Sequence, residues 1–184
     1  MNLPAKRRVK ISKYLSYHLR HRPDLLGLEL APGGWVEVER LIAAASELGF
    51  RFDLRELDEV VETSDKQGFA FDATGKLIRA NQGHSVAVDL NLRSHLPPEV
   101  LYHGTSEQTV AKILAGGLNK MQRHHVHLSA EPQTAIIVAR RKGKPVILQI
   151  AAGKMARSGT PFYLTDNQVW LVDFVPLEYI KLQK

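Results

Sequence analysis

The densest group of reactive side chains lies at Arg123-His124-His125-Val126-His127-Leu128-Ser129. In an extended segment side chains alternate between faces, so Arg123, His125, His127 and Ser129 are expected on one face and His124, Val126 and Leu128 on the other. One face then carries a row of hydrogen-bond donors with a permanent charge at its start. Two readings stay open. Histidines two apart on a strand could share a metal ion, or they could sit satisfied on a sheet surface. The segment carries no Asp or Glu and would need a third ligand from elsewhere, so no metal is expected.

Three further groups could join this one. Tyr102-His103-Gly104-Thr105 ends an apolar run, with a glycine that lets another group approach the backbone and a hydroxyl beside it. Together with His127 and Ser129 it suggests a pocket for a nucleotide or nicotinamide ribose, without either common glycine-rich phosphate loop. Arg79 precedes Gln82-Gly83-His84-Ser85, and Arg20-His21 follows an apolar-periodic segment. Arginine forks suit phosphate because several N–H groups meet its oxygens bidentately and the charge does not titrate away. Either these arginines converge on one anion, or they are unrelated surface residues; spacing alone leaves both open.

The missing groups narrow the chemistry. Asn167-Gln168-Val169-Trp170-Leu171 contains no Glu, the chain contains no Cys, and no Ser/His/Asp order or carboxylate pair stands out as a general-base system. An enzyme built this way works best with a nucleophile that is already anionic. A phosphate monoester, with a second pKa of roughly 6, is one.

Local signals outline the elements that must hold these residues. Ile11, Tyr14, Leu15, His18 and Leu19 predict an amphipathic helix over 11–21, closed by Pro23. After Pro32-Gly33-Gly34, an extended piece at Trp35-Val36 leads into a helix over about 38–48, stopped by Gly49. Asp53 and Glu56 form a capping pair for a third helix with Leu54, Leu57, Val60 and Val61 on one face. Phe69-Ala70-Phe71 and 76–80 read as a hairpin, and helices followed by a hairpin suggest a winged-helix-like unit. Leu96-Pro97-Pro98 marks a boundary, beyond which strands at 100–103, 125–129, 145–150, 169–172 and 174–175 alternate with helices at 109–114 and 133–141. That pattern is a strand-rich α+β lobe.

At 184 residues and 44% hydrophobic composition the chain can bury a core unaided. Residues 1–96 carry 14 Lys and Arg against 13 Asp and Glu, and residues 97–184 carry 11 against 6, so the net +6 divides as +1 and +5. Within the first half, Lys6, Arg7, Arg8, Lys10, Lys13, Arg20 and Arg22 all precede the first acid, Asp24. Such a run either attracts a polyanion or serves as a solvated, solubilising terminus. No apolar stretch approaches the roughly 18 residues of a membrane span, and MNLPAKRRVK lacks the apolar segment of a signal peptide, so a cytoplasmic location is expected.

Leu15-Ser16 through Leu19-Arg20-His21 with Pro23, then Thr63-Ser64-Asp65-Lys66, Ile78-Arg79-Ala80 and Gln82-Gly83-His84-Ser85, resemble the NAD-dependent RNA 2′-phosphotransferases of the KptA type. The resemblance continues in order through Tyr102-His103-Gly104-Thr105, Arg123 with Val126-His127-Leu128-Ser129, Pro145-Val146-Ile147-Leu148 and Val169-Trp170-Leu171. It implies an α+β fold, with an N-terminal winged-helix-like RNA-binding lobe over 1–96 and a C-terminal ADP-ribosyltransferase-like NAD-binding lobe over 97–184. The implied reaction removes an internal RNA 2′-phosphate, such as one left by tRNA splicing. It passes through an ADP-ribosylated RNA phosphate and yields 2′-OH RNA, nicotinamide and ADP-ribose 1″,2″-cyclic phosphate. NAD is consumed as a co-substrate without a metal, and a monomer acting on RNA, with tRNA a candidate, is expected.

By the same resemblance Arg20, His21, Arg79 and Arg123 match the family's catalytic set, and His84 and Ser85 fall in its substrate-binding segment. His103, Gly104, Thr105, His127, Ser129, Val169 and Arg141 match the NAD side, Val169 standing where many transferases of this fold carry a catalytic Glu. The chain departs from the family pattern at Ala139, Lys142 and Gln168, where relatives often carry Gly, His and Gly, which bears on the adenine and pyrophosphate contacts.

Overall fold

In the computed structural model, which describes residues 3–64, 67–141 and 143–183, the first helix, α1 (Ala5–Arg20), begins six residues before its apolar periodicity. Those added residues are mostly cationic, so periodicity is silent there. The helix is started by the Pro4 carbonyl, which accepts from the Arg7 and Arg8 amides. Arg7 then forms a two-pronged ion pair with Glu56 (2.8 and 2.9 Å). Glu56 lies on α3 (Leu54–Glu62), whose capping box joins the Asp53 and Glu56 side chains to each other's backbone amides as expected. Ile11, Leu15 and Leu19 are fully buried against Leu41 of α2 (Val38–Glu47), Leu57 and Ile78. Full burial of such a side chain contributes about 1.5–3 kcal/mol. Leu54, expected on the buried face of α3, is half exposed, because it is the first helical residue and projects beyond the core.

The chain forms two compact units, Met1–Asn91 and Leu92–Lys184. Among the described residues the first holds three α-helices, a short 3₁₀ helix (Pro23–Leu26) and a three-stranded antiparallel sheet, with β3 (Leu77–Ala80) between β1 (Trp35–Glu37) and β2 (Phe69–Phe71). Its register sets Trp35 and Ala70 on either side of Arg79. Helix α2 ends at Gly49, whose φ of 80° lets the Phe50 amide reach back to the Ala45 carbonyl.

In the second unit β7 (Pro145–Ile150) lies between β4 (Leu101–Ser106) and β11 (Ile180–Leu182). A second sheet places β9 (Trp170–Val172) between β6 (Val126–Leu128) and β8 (Tyr163–Leu164). Paired hydrogen bonds between Tyr102 and Ser129 (2.8 and 2.9 Å) join the two sheets through β4 and the end of β6. A short pair, β5 (Leu118–Asn119) with β10 (Phe174–Val175), and helices α4 (Glu107–Gly116), α5 (Pro132–Arg140) and α6 (Ala152–Arg157) complete it. Leu101, Leu148, Ile150, Met155 and Val172 are fully buried in its core. Among the described residues every strand pairing is antiparallel, and the chain is α+β.

The strand expected over 125–129 is shorter. Met121 takes a φ of 58° and residues 121–125 turn, so Arg123 and His125 stand ahead of the strand instead of within its alternation. Val126 and Leu128 are buried while His127 and Ser129 are half-buried, so the alternation holds from 126 onward. Helix α4 is longer than expected, and α6 and β11 carry no local signal strong enough to announce them. Asp65, Lys66 and Lys142 lie outside the described residues.

Candidate functional site

In the first unit the end of β3 and the segment after it run across the C-terminus of α1. The Ser85 amide donates to the Arg20 carbonyl (2.9 Å), and the Ser85 hydroxyl lies 2.9 Å from His21 Nδ1. Arg20 donates to Ser16 Oγ (3.0 Å) and to the Gly68 carbonyl (3.1 Å), with its guanidinium 5.4 Å from the Phe69 ring centre. Gly83 has a φ of 89°, which favours glycine, and lies in ordinary contact range of the Arg20 stem, which a Cβ there would meet at 3.7 Å. His84 is 1% exposed and lies against the Gly33-Gly34 turn, where a Cβ on Gly34 would come within 3.5 Å of its Nε2.

Arg79 closes the same neighbourhood. It stacks on Trp35, its neighbour in register (4.5 Å), and Nη1 points toward the Gly33 carbonyl. Thus Arg20, His21, Arg79, His84 and Ser85 are brought together by one helix end, one strand end and two glycine turns. Trp35, Gly33, Gly68 and Phe69 hold the two arginines, and spacing did not reveal them. The Arg79–Trp35 contact depends on strand register across α2 and α3, which no local pattern encodes.

In the second unit, antiparallel pairing sets His103 of β4 beside β6. Its Nδ1 lies 2.9 Å from the His127 carbonyl. A carbonyl only accepts, so Nδ1 bears the hydrogen and the neutral ring carries its lone pair on Nε2. Arg123 Nη1 lies 3.4 Å from His127 Nδ1, an orientation that places the His127 hydrogen on Nε2. With these contacts the neutral rings differ in which nitrogen carries the hydrogen, Nδ1 on His103 and Nε2 on His127. Ser129 Oγ donates to the Glu131 carbonyl (3.1 Å). His125 takes a separate path, 3.8 Å from Asp173 and edge-on to Tyr163. Among the described residues, no three or more His, Asp or Glu side chains form a metal-binding group.

Gly104 serves helix packing. A Cβ there would lie 1.9 Å from the Ala135 carbonyl oxygen and 3.1 Å from the Ala139 amide, so the close approach this glycine allows is to the α5 backbone. Thr105 is 1% exposed beside it. Ala139 is fully buried at the same crossing. Gln168 has φ 60°, in the turn joining β8 to β9, where glycine is unstrained. That turn is closed by the Thr165 hydroxyl, which lies 3.0 Å from both the amide and the carbonyl of Val169. Arg141 caps the C-terminus of α5 and is exposed.

Comparison with known proteins identifies the relatives of the chain. The chain is 57% identical to the "Probable RNA 2'-phosphotransferase" of Nostoc punctiforme over 175 residues, covering 95% of this chain and 97% of that protein. It is 50% identical to the protein of the same name from Herpetosiphon aurantiacus, covering 99% and 100%. It is also 50% identical to that of Streptomyces coelicolor, covering 97% of each. The model of the "RNA 2'-phosphotransferase, Tpt1 / KptA family" matches residues 6–174, nearly the whole chain, and this protein belongs to that family.

Proposed function

We propose that this protein removes an internal 2′-phosphate from RNA, with NAD as the second substrate. The observation that carries the reading is the gathering of Arg20, His21, Arg79, His84 and Ser85 in one unit, a dense set of cationic and hydrogen-bonding groups suited to a phosphate dianion. Arg123, in the second unit, is a cation beside His127. Family membership supports the RNA 2′-phosphate as substrate.

The donor set of the second unit fits the nucleotide. His103 with a lone pair on Nε2, His127 with a hydrogen on Nε2, and the Ser129 hydroxyl suit ribose hydroxyls and an amide. Thr105, Val169 and Arg141 complete the proposed NAD side, and Gly104 serves it through its strand backbone, its missing side chain making room for α5. In the first step an RNA phosphate oxygen forms a bond to the nicotinamide-ribose carbon while the bond to nicotinamide breaks and nicotinamide leaves with the electron pair. In the second, the ribose 2″-oxygen gives up its proton and bonds to phosphorus. The phosphorus–O2′ bond breaks, and the RNA oxygen takes up a proton. The arginines hold the phosphate and offset charge that grows on it. A phosphate attacker needs no carboxylate to deprotonate it, which suits Val169 where a Glu stands in other transferases. Three helices with a three-stranded hairpin sheet support a winged-helix-like first lobe, and we read the second as ADP-ribosyltransferase-like.

Incubation with NAD and an oligoribonucleotide carrying one internal 2′-phosphate tests the reading. Equimolar 2′-OH RNA, nicotinamide and ADP-ribose 1″,2″-cyclic phosphate are expected. A stable ADP-ribosylated RNA with no cyclic phosphate would instead assign transfer alone, and no nicotinamide release would sink the enzymatic reading.

A further inference from the structure

Helix α1 carries six Lys and Arg and no acid, and its charges divide by face. Arg7 and Arg8 turn toward α3, where they pair with Glu56 and Glu59. Lys6, Lys10 and Lys13 are exposed and, among the described residues, make no ion pair. At 100° per residue, Lys6, Lys10, Lys13, Tyr17 and Arg20 fall within an arc of about 80°. They form one stripe of about 21 Å, at 1.5 Å per residue, ending at the phosphate-binding cluster. Lys10 is held 5.5 Å from the Phe50 ring centre, and Tyr17 is 47% exposed.

We propose that this face of α1 is an extended RNA-binding track: Lys6, Lys10 and Lys13 meet backbone phosphates flanking the modified nucleotide, and Tyr17 stacks a base next to it. The inference rests on the proposed RNA substrate and deepens it. A row of cations with an interleaved aromatic matches how proteins follow a single strand, charge tracking the backbone and a ring receiving a base. At roughly 3.4 Å per nucleotide along a strand, the stripe spans about six nucleotides.

The alternative element within the unit is the third helix, which in helix-turn-helix relatives enters a groove. Here α3 carries Arg55 against Glu56, Asp58, Glu59 and Glu62, a net of 1 − 4 = −3, and its first capping residue is Asp53. Arg7 and Arg8 offset Glu56 and Glu59, and Asp58 and Glu62 still leave this helix without the excess of cations that α1 carries. The charge of the unit therefore directs nucleic acid to the outer face of α1.

Binding measured without NAD separates this inference from the proposed reaction. The probes are two fluorescein-labelled RNAs with a central 2′-phosphate, a trinucleotide and a single-stranded 20-mer, followed by anisotropy from 50 to 300 mM NaCl. With Lys6→Gln, Lys10→Gln and Lys13→Gln combined, affinity for the 20-mer should fall roughly tenfold to a hundredfold, and the salt slope should flatten by about 2, at 0.7 per lost phosphate contact. Trinucleotide affinity should not change. Glutamine is a good helix former, so the thermal midpoint should hold, and Lys13→Gln alone should give a smaller loss in the same direction. Tyr17→Ala should weaken the 20-mer roughly tenfold with no change in slope. For the triple lysine variant, an unchanged 20-mer affinity and slope, or an equal loss with the trinucleotide, would overturn the proposal, as would an unchanged 20-mer affinity for Tyr17→Ala. So would loss of binding to phosphatidylserine vesicles with RNA binding intact. If the wild type binds in this way yet releases no phosphate with NAD, the proposed reaction fails while the track stands.

Discussion

The two units position their polar residues by different means. In the first, site residues stand where regular structure stops: Arg20 and His21 at a helix end, Arg79 at a strand end, and His84 and Ser85 in the segment beyond it. Glycines at φ 79–89° let the turns pass close to these side chains. In the second unit His103 and His127 sit within strands, and the glycine beside them is there for a helix packed on the sheet. One neighbourhood is built from turns and directed cations, the other from sheet register and fixed ring tautomers. On the reaction proposed above, the first arrangement would meet a charged phosphate with arginine forks and the second a neutral ribose with oriented hydrogen bonds.

The largest expected effect separates the two on function. Replacing Arg79 by Ala should lower turnover of 2′-phosphorylated RNA by roughly 10²–10³-fold, as expected for the loss of one donor to transition-state charge. Its stacking on Trp35 contributes only about 0.5–1 kcal/mol, so the thermal midpoint should move by a few degrees at most. Calorimetric titration should find NAD affinity little altered by Arg79→Ala and clearly weakened by His127→Ala. If Arg79→Ala weakened NAD binding as much as His127→Ala, the division of labour would be wrong.

The next effect is on stability. Gly104→Ala forces a Cβ against backbone of α5, which cannot rotate away as a side chain would, and should cost about 3 kcal/mol or more. Gly34→Ala, facing the ends of Leu90 and His84 but at a φ of 79°, should cost less. Differential scanning calorimetry of the two variants orders them, and a harmless Gly104→Ala would refute the packing explanation. This glycine also marks how far the sequence could be read. The capping box at Asp53 and Glu56, the stop at Gly49 and the hairpin at 69–80 are local, and each was legible. The reason for Gly104 lies in a helix 31 residues away (135 − 104), and the partner of His103 is a backbone carbonyl, which has no signature in residue type. Arg123 was legible as a cation near His127, but its position before the strand depends on the turn at Met121.

A smaller effect probes what supports the first unit. The Arg7 guanidinium holds the Glu56 carboxyl below its ordinary value. Glu56 also completes the cap of α3, so Glu56→Gln should cost about 1 kcal/mol. A carboxyl whose folded pKa is depressed contributes stability above its unfolded value near 4.5, and that contribution disappears as pH falls through the folded value. Urea unfolding at pH 7 and pH 3 should therefore show the Gln penalty at neutral pH and a smaller one in acid. An equal penalty at both would assign the effect to capping alone.

The smallest effect belongs to the second unit and has its own pH range. Burial pushes the His125 pKa down, outweighing the opposing pull of Asp173, while His124 and Lys120 add repulsion and Tyr163 lies against the ring. For a histidine depressed in the folded state, the unfolded chain takes up the proton first on acidification. Its contribution is therefore complete above the unfolded value near 6.5 and declines as pH falls below it, levelling off below the folded value. His125→Gln should flatten the stability curve between pH 7 and 5, read by urea midpoints, while leaving Arg79-dependent turnover in place. Because the Asp173 contact favours the charged ring, Asp173→Asn should steepen the same decline. A variant curve parallel to the wild type through this range would show that His125 titrates alike in both states.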